Sequence, residues 1–471
     1  MAQHDSSTAR RRRSFHVMPL LVLAGAVVAA ASCSRLEDAN STADGGGGSS
    51  GGGQGSSSGA SSGATSSGGP GSGSSSGDMV VSGDAAVSVQ KMACGNASTT
   101  TDAWSPGYTI PSSAISSAQT FVSALPLTQQ ATIMRGETSG CPNSKQFAQI
   151  FDTPGLTGAS GIQGYKFRDG PRGVCLIANS TVAVNQGNYS TTFPSGSARG
   201  ATFDMNLEQQ IGAAMADEMV ASGHNMILAP VINILRHPAW GRSQETYGED
   251  SFLLGRLGTA YVSGVQGYVN GNQATPAVAA CAKHFAAYNI ENGRDTGNIA
   301  SMDEQTAYEV YGRHFEMVVQ EGGVACIMAA YNLLSIGGSP AQHCTSNKAL
   351  LTDMLRTTFG FKGFVISDWW AMPGGSSCPA ADTEKQYTSD AVNAGLDMEL
   401  PWDMNFSQLE ADVTGGTLMQ SQVAASATRI AAQQYRFSFA TPGAQPPGTP
   451  TTSFNTGTYS ITNNDAHVAL A

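Results

Sequence analysis

The sequence predicts an α/β fold: a (β/α)8 TIM-like barrel preceded by a disordered signal and linker segment. Three observations carry that expectation. From about residue 110, short apolar runs alternate with longer amphipathic stretches, and runs without in-out alternation suit parallel strands covered on both faces. The alternation continues over roughly 300 residues, which suits a barrel better than a small doubly wound sheet. Polar, reactive residues stand directly after several runs, where barrel strands open onto one mouth. Pattern alone leaves the doubly wound alternative open.

Residues 1–33 read as a signal peptide. Arg10, Arg11, Arg12 and Arg13 form a positive n-region, and Pro19 to Ala31 form a short apolar run ending in small residues. The run closes at Ala30-Ala31-Ser32-Cys33, which resembles a bacterial lipobox in which the Cys carries lipid. Two processings fit: lipidation of Cys33, which anchors the chain to a membrane, or cleavage after Ala31 with Cys33 a spare thiol. Export follows either way, to the bacterial cell envelope as an outer-membrane lipoprotein or as a secreted protein. Residues 34–90 read as a flexible linker, because positions 41–77 are almost wholly Gly and Ser and can bury nothing.

Composition narrows the function classes. Charged residues are 13% of the chain and hydrophobic ones 41%, with a net charge of −11. No interior stretch clusters Lys and Arg with aromatics, so nucleic acid is not an expected partner. An exported chain favours disulfides among Cys94, Cys141, Cys175, Cys281, Cys326, Cys344 and Cys378, with a pairing that spacing cannot give. Cys281 and Cys326 lie in apolar runs and read as buried thiols. No C-x-x-C spacing, H-E-x-x-H, G-x-S-x-G, Walker or dinucleotide motif is present, so neither metal nor organic cofactor is expected.

A globular region is expected over 110–440. Its strand-like runs are Asn225 to Val231, Pro276 to Cys281, Gly323 to Met328, Gly363 to Ser367 and Gly395 to Leu400. The intervening helices are Asp204 to Ser222, Ser251 to Gly267, Ser346 to Phe359 and Gly416 to Phe439. Another opens at Ser301-Met302-Asp303-Glu304, read as a capping box, and buries Val310, His314, Phe315, Val318 and Val319.

The candidate site residues stand at the run ends. Asp368 leaves a hydrophobic strand beside two indoles, in Val365-Ile366-Ser367-Asp368-Trp369-Trp370. A carboxylate there can act as nucleophile or stabilise an oxocarbenium-like centre, and an indole face such as that of Trp369 can pack on a sugar ring. The plain alternative is a strand-end Asp capping the next loop. Lys283 and His284 could bond vicinal hydroxyls, or be a surface Lys beside a core His. Asp169, before Gly170-Pro171, could bind a hydroxyl or merely form a turn. Arg242 could fork onto a ligand or pair with Glu245, Glu249 or Asp250. Tyr331 could bond the nucleophile or fill the core.

Taken in order, Arg168-Asp169-Gly170-Pro171-Arg172-Gly173-Val174, Phe193-Pro194, Leu228-Ala229-Pro230-Val231-Ile232-Asn233, Gly241 to Asp250, Lys283-His284-Phe285 and Val365 to Trp369 resemble glycoside hydrolase family 3. The similarity covers about residues 120–440, and implies the N-terminal barrel of a β-glucosidase-type, retaining, exo-acting enzyme acting on an oligosaccharide or β-glucoside. By that resemblance Asp368 is the catalytic nucleophile. Asp169, Arg242, Lys283 and His284 grip the sugar, Trp369 walls a subsite, and Tyr331 neighbours the nucleophile. Two-domain members take the acid/base from a following α/β sandwich. Residues 441–471 resemble the linker into that domain, so the sandwich is expected to be missing here or supplied by a separate chain. Single-domain members use a His in a Lys-His-Phe-Pro-Gly context, whereas Ala286-Ala287-Tyr288 follows here. The resemblance thus implies impaired turnover, with a non-catalytic sugar-binding lipoprotein or an inactive fragment as the alternatives.

Overall fold

The computed structural model describes residues 110–136, 153, 155–156, 162–175, 190–222, 224–269, 272–273, 278–294, 299–373, 385–437 and 464–471. The signal peptide, Cys33, the linker and most of the tail lie outside these residues.

Five strands form one sheet: β1 (Phe167–Asp169), β2 (Met226–Leu228), β3 (Ala279–Phe285), β4 (Cys326–Ala329) and β5 (Phe364–Ser367). They lie side by side in chain order and every pairing is parallel. All residues of β2 to β5 are buried, which is why the sequence shows continuous apolar runs there. The strand order never reverses across the sheet, unlike that of a doubly wound fold. Of the Gly395–Leu400 run, only Met398 pairs, by a parallel bridge to Ile366 that extends the sheet beyond β5. Closure into eight strands is not traced by the described residues.

Helices cover the sheet, and several begin where an Asp takes up the first free amides. Asp204 accepts from Asn206 and Leu207 at the start of Met205–Ala221, and Asp250 accepts from Leu253 at the start of Ser251–Val265. These two helices pack closely through glycine. A Cβ on Gly264 would stand 2.0 Å from the Gln209 carbonyl oxygen, and one on Gly212 2.5 Å from that of Tyr261. Asp397, on the helix-facing side of its run, lies between Arg356 and Arg429 at 2.5 and 2.7 Å.

Three sequence expectations are corrected. The cap before Glu304 is Asp303, which accepts from Thr306; Ser301 belongs instead to the strand Ile299–Met302, which pairs with Leu333–Ile336. Val310 is exposed, because the helix there runs through a π-helical segment, Ala307–Gly312, that rotates its apolar stripe, while His314, Phe315, Val318 and Val319 remain buried. Cys281 and Cys326 are not thiols: they oppose one another in the β3/β4 register and form a disulfide. Among the described residues, the free cysteine is Cys344, which is buried.

The core is continuous and rich in aromatic side chains. Tyr165 stacks on Phe364 with centroids 5.1 Å apart and lies against Phe167, all three fully buried. Each such side chain contributes about 1.5–3 kcal/mol on leaving water. At the far end of the chain, Asn464–Leu470 forms a helix against Met205–Ala221. His467 Nδ1 there lies 3.0 Å from Glu218, which also accepts the Thr191 amide.

Candidate active site

Because the strands are parallel and sequential, their carboxyl ends share one side of the sheet. Asp169 ends β1, Lys283 and His284 lie near the end of β3, Tyr331 follows β4 and Asp368 follows β5. The β3/β4 register shifts between Ala282 and Phe285, inserting an extra residue at the Lys283-His284 pair. Such a bulge re-aims side chains that a regular strand would point elsewhere.

Lys283 Nζ lies 3.0 Å from Asp169 Oδ1. The ammonium is buried and needs such a partner; the carboxylate is part-exposed and keeps a second oxygen for other contacts. His284 is fully buried, with Nε2 3.5 Å from Asp368 Oδ2. Asn233, just beyond β2, grips the same residue three times. Its Oδ1 accepts the His284 amide at 2.8 Å and contacts the ring Nδ1 at 3.1 Å, and its Nδ2 donates to the His284 carbonyl at 2.7 Å.

Asp368 is 3% exposed. Its Oδ1 accepts the Trp369 amide at 2.7 Å, whereas Oδ2 has no hydrogen-bond partner among the described residues. Burial holds the carboxyl above its usual range, and Arg242, Lys283 and Arg294 offset only part of that rise. His284 is driven well below the usual imidazole range by burial first, then by the same three cations. It is therefore neutral at pH 7.

Arg242 takes the structural pairing, with bonds of 2.9 and 2.7 Å to both Glu245 oxygens, while its charge still reaches Asp368. Tyr331 is buried beneath the Arg294 guanidinium, 4.3 Å from its ring centroid, and its phenol is held well above its usual range by burial first and then by Asp368. The half-buried Trp369 ring lies 6.2 Å from that of Trp370.

Sequence reasoning did not single out Asn233, Tyr288, Glu291 or Arg294. Tyr288 donates to Glu291, Arg294 bonds Glu291 at 2.7 Å, and the Tyr288 ring meets those of His284 and Tyr331 at 5.3 and 5.7 Å. The i, i+3, i+6 spacing of Tyr288, Glu291 and Arg294 after β3 was the available signal. No group of three His, Cys, Asp or Glu converges as metal ligands would among the described residues.

A polar, cation-rich cluster at the carboxyl ends of parallel strands is the site position of an α/β enzyme. Comparison with known proteins makes the class specific. The model of the glycosyl hydrolase family 3 N-terminal domain matches residues 176–432. Beta-glucosidase B of Emericella nidulans is 33% identical over 308 residues, spanning 65% of this chain and 31% of that protein. A beta-glucosidase of Rhizobium radiobacter is 35% identical over 272 residues, 57% of this chain and 30% of that one. Among solved structures, DesR, a β-glucosidase from Streptomyces venezuelae in complex with D-glucose, superposes with a TM-score of 0.56 at 30% identity, covering 70% of this chain and 39% of that one. The chain belongs to glycoside hydrolase family 3. It spans about a third of the length of these curated relatives.

Proposed function

We propose that the chain is the catalytic barrel portion of a retaining, exo-acting β-glycosidase that takes β-glucosides and forms a glycosyl-enzyme on Asp368. The carrying observation is the asymmetry of that carboxylate: Oδ1 is tied to the Trp369 amide while Oδ2 is buried without a hydrogen-bond partner. Oδ2 is thus the atom with a lone pair to offer the anomeric carbon. Arg242, Lys283 and Arg294 lower the Asp368 carboxyl, keeping ionised nucleophile available despite its burial. Asp169, Arg242, Lys283 and His284 hold the sugar hydroxyls, and Trp369 and Tyr331 flank the reacting carbon. The family match and the sequential strand order support a closed (β/α)8 barrel over a doubly wound sheet.

In the first step Asp368 Oδ2 attacks C1 while a second carboxyl, roughly 5–5.5 Å away, protonates the leaving oxygen; water then releases the sugar with its configuration retained. The neighbouring carboxylates are engaged: Asp169 with Lys283, Glu245 with Arg242, and Glu291 with Tyr288 and Arg294. We therefore assign the acid/base to a carboxyl outside the described residues or on a partner domain. With the carboxyl on a partner domain, turnover by this chain alone should be slow, and the same engagement favours the second reading, a sugar-binding module.

An activated 2-deoxy-2-fluoro-β-glucoside separates the two. Its good leaving group needs no acid, so intact-mass and peptide analysis should find the fluoroglucosyl group on Asp368. Calorimetric binding of glucose without any adduct would support the binder, and absence of both would defeat the carbohydrate reading. For the N-terminal region we propose export with lipid on Cys33, on the strength of the lipobox-like pattern. Labelling with a clickable fatty acid should mark the exported chain and spare a Cys33→Ala variant; equal labelling of both overturns it.

A further inference from the structure

The orientation of Asn233 is determined by the backbone of a single residue. Its side chain faces the amide N–H of His284 with one atom and the carbonyl of His284 with the other. Only one assignment satisfies both: Oδ1 towards the N–H and Nδ2 towards the carbonyl. The flipped amide would set donor against donor at 2.8 Å and acceptor against acceptor at 2.7 Å. Asn233 Oδ1 is therefore an acceptor, and it also lies 3.1 Å from the His284 ring Nδ1. A bare Nδ1 there would place two lone pairs face to face, so Nδ1 carries the proton.

In a neutral imidazole the other nitrogen is then bare. Nε2 of His284 and Oδ2 of Asp368, 3.5 Å apart, are both acceptors, and neither is hydrogen-bonded among the described residues. Two buried acceptors at that spacing cannot satisfy one another, and leaving them unmet is costly. Among the described residues they lack a donor, and one O–H placed between them can be shared by both as a three-centre bond.

We propose that Asn233 is a positioning residue that locks His284 in its Nδ1–H tautomer, so that His284 Nε2 and Asp368 Oδ2 form a twin-acceptor site selecting a ligand hydroxyl that donates. The donor preference deepens the glycosidase reading, because it names what the sugar must present at one position. The tautomer does not depend on that reading. A ligand offering an ether, carbonyl or fluorine at this position binds more weakly, since each brings a third acceptor and no proton.

Nitrogen-15 NMR of histidine-labelled protein, with the His284 signals identified by their loss in a His284→Gln variant, reads the tautomer directly. The wild type should show a protonated Nδ1 and a bare Nε2. A protonated Nε2 in the wild type overturns the proposal, whether or not any sugar binds. In Asn233→Leu the proton should redistribute towards Nε2, which can then donate to Asp368; an unchanged tautomer in a folded variant also overturns it. Calorimetry with glucose and its monodeoxy and monodeoxyfluoro analogues tests the selection. At one hydroxyl position, deoxy and fluoro analogues should both lose about tenfold or more in affinity. If the fluoro analogue keeps the affinity of glucose at every position, the site does not select a donor. If glucose itself fails to bind while Nδ1 is protonated, the glucoside reading falls and the tautomer lock stands.

Discussion

The Lys283 ammonium, 3.0 Å from Asp169 Oδ1, ties β3 to β1 across the intervening β2. The pair is unequal, with the Lys side chain 4% exposed and the Asp 28%. Removing the acid strands a buried cation, whereas removing both ends leaves two neutral groups. Asp169→Asn should therefore cost more stability than the Asp169→Asn, Lys283→Met double variant. Urea unfolding of the cycle should give a coupling of about 1–3 kcal/mol. Additivity within experimental error would mean the contact contributes little.

The cations around Asp368 set its pH behaviour. Burial raises its carboxyl and Lys283 is among the groups that lower it, so Lys283→Met removes a restraint. In the wild type, labelling by an activated fluoro-glycoside should fall on the acid side as Asp368 takes up its proton. In Lys283→Met that limb should move to higher pH. Unmoved limbs would show that the nucleophile does not sense Lys283. Asp368→Asn should lose labelling by at least about a thousandfold at every pH.

The loop after Asp169 is held from behind by buried groups. Tyr261 donates to the Gly170 carbonyl at 3.1 Å and Arg199 to that of Pro171 at 2.5 Å, while Glu208 accepts from Tyr247 and pairs with Arg199. Tyr261→Phe removes one of these bonds and keeps the ring. It should cost about 0.5–1.5 kcal/mol, and amide exchange at Cys175, which donates to the Asp169 carbonyl, should accelerate. Unaltered exchange would reduce Tyr261 to a packing residue.

These contacts show which parts of the site the chain displays locally. β2 to β5 were legible because each is buried on both faces and so reads as an unbroken apolar run. Asp169, Lys283, His284 and Asp368 were legible as candidates because polar residues ending such runs are conspicuous. The Arg242–Glu245 pairing was among the local options, being i, i+3. The Asp169–Lys283 contact spans 114 residues and depends on which strands are neighbours. The Cys281–Cys326 disulfide depends on the β3/β4 register, which no local pattern encodes, and both residues looked like small apolar fillers. Asn233 escaped notice because its task is set by the backbone of His284, 51 residues away.

His314 gives a pH-dependent stability that needs no ligand to be observed. It is buried, and burial alone pushes its pKa from 6.5 down to about 3. The folded state therefore binds a proton less readily than the unfolded state. Its contribution is fully present above pH 6.5 and is lost as the pH falls towards about 3. Within that window the slope from this one group is about 1.4 kcal/mol per pH unit. Between pH 6.5 and 5, urea unfolding should show His314→Phe losing about 2 kcal/mol less than the wild type. Parallel curves would show that the imidazole titrates normally in the fold.

Trp370 stands in a left-handed conformation at φ 59°, a region that costs a side chain with a Cβ about 1–2 kcal/mol. What offsets the strain is visible around it: its amide donates to the Leu400 carbonyl at 3.2 Å, and its ring meets those of Trp402 and Trp369 at 5.4 and 6.2 Å. Replacing it by Ala or by Gly deletes the same ring contacts, so the comparison isolates the backbone. Trp370→Gly should be more stable than Trp370→Ala by about 1 kcal/mol in urea unfolding, the reverse of their order at an ordinary helical or extended position. Equal stability would mean that the backbone relaxes out of the left-handed region once the indole is gone, and that ring packing had been imposing the strain.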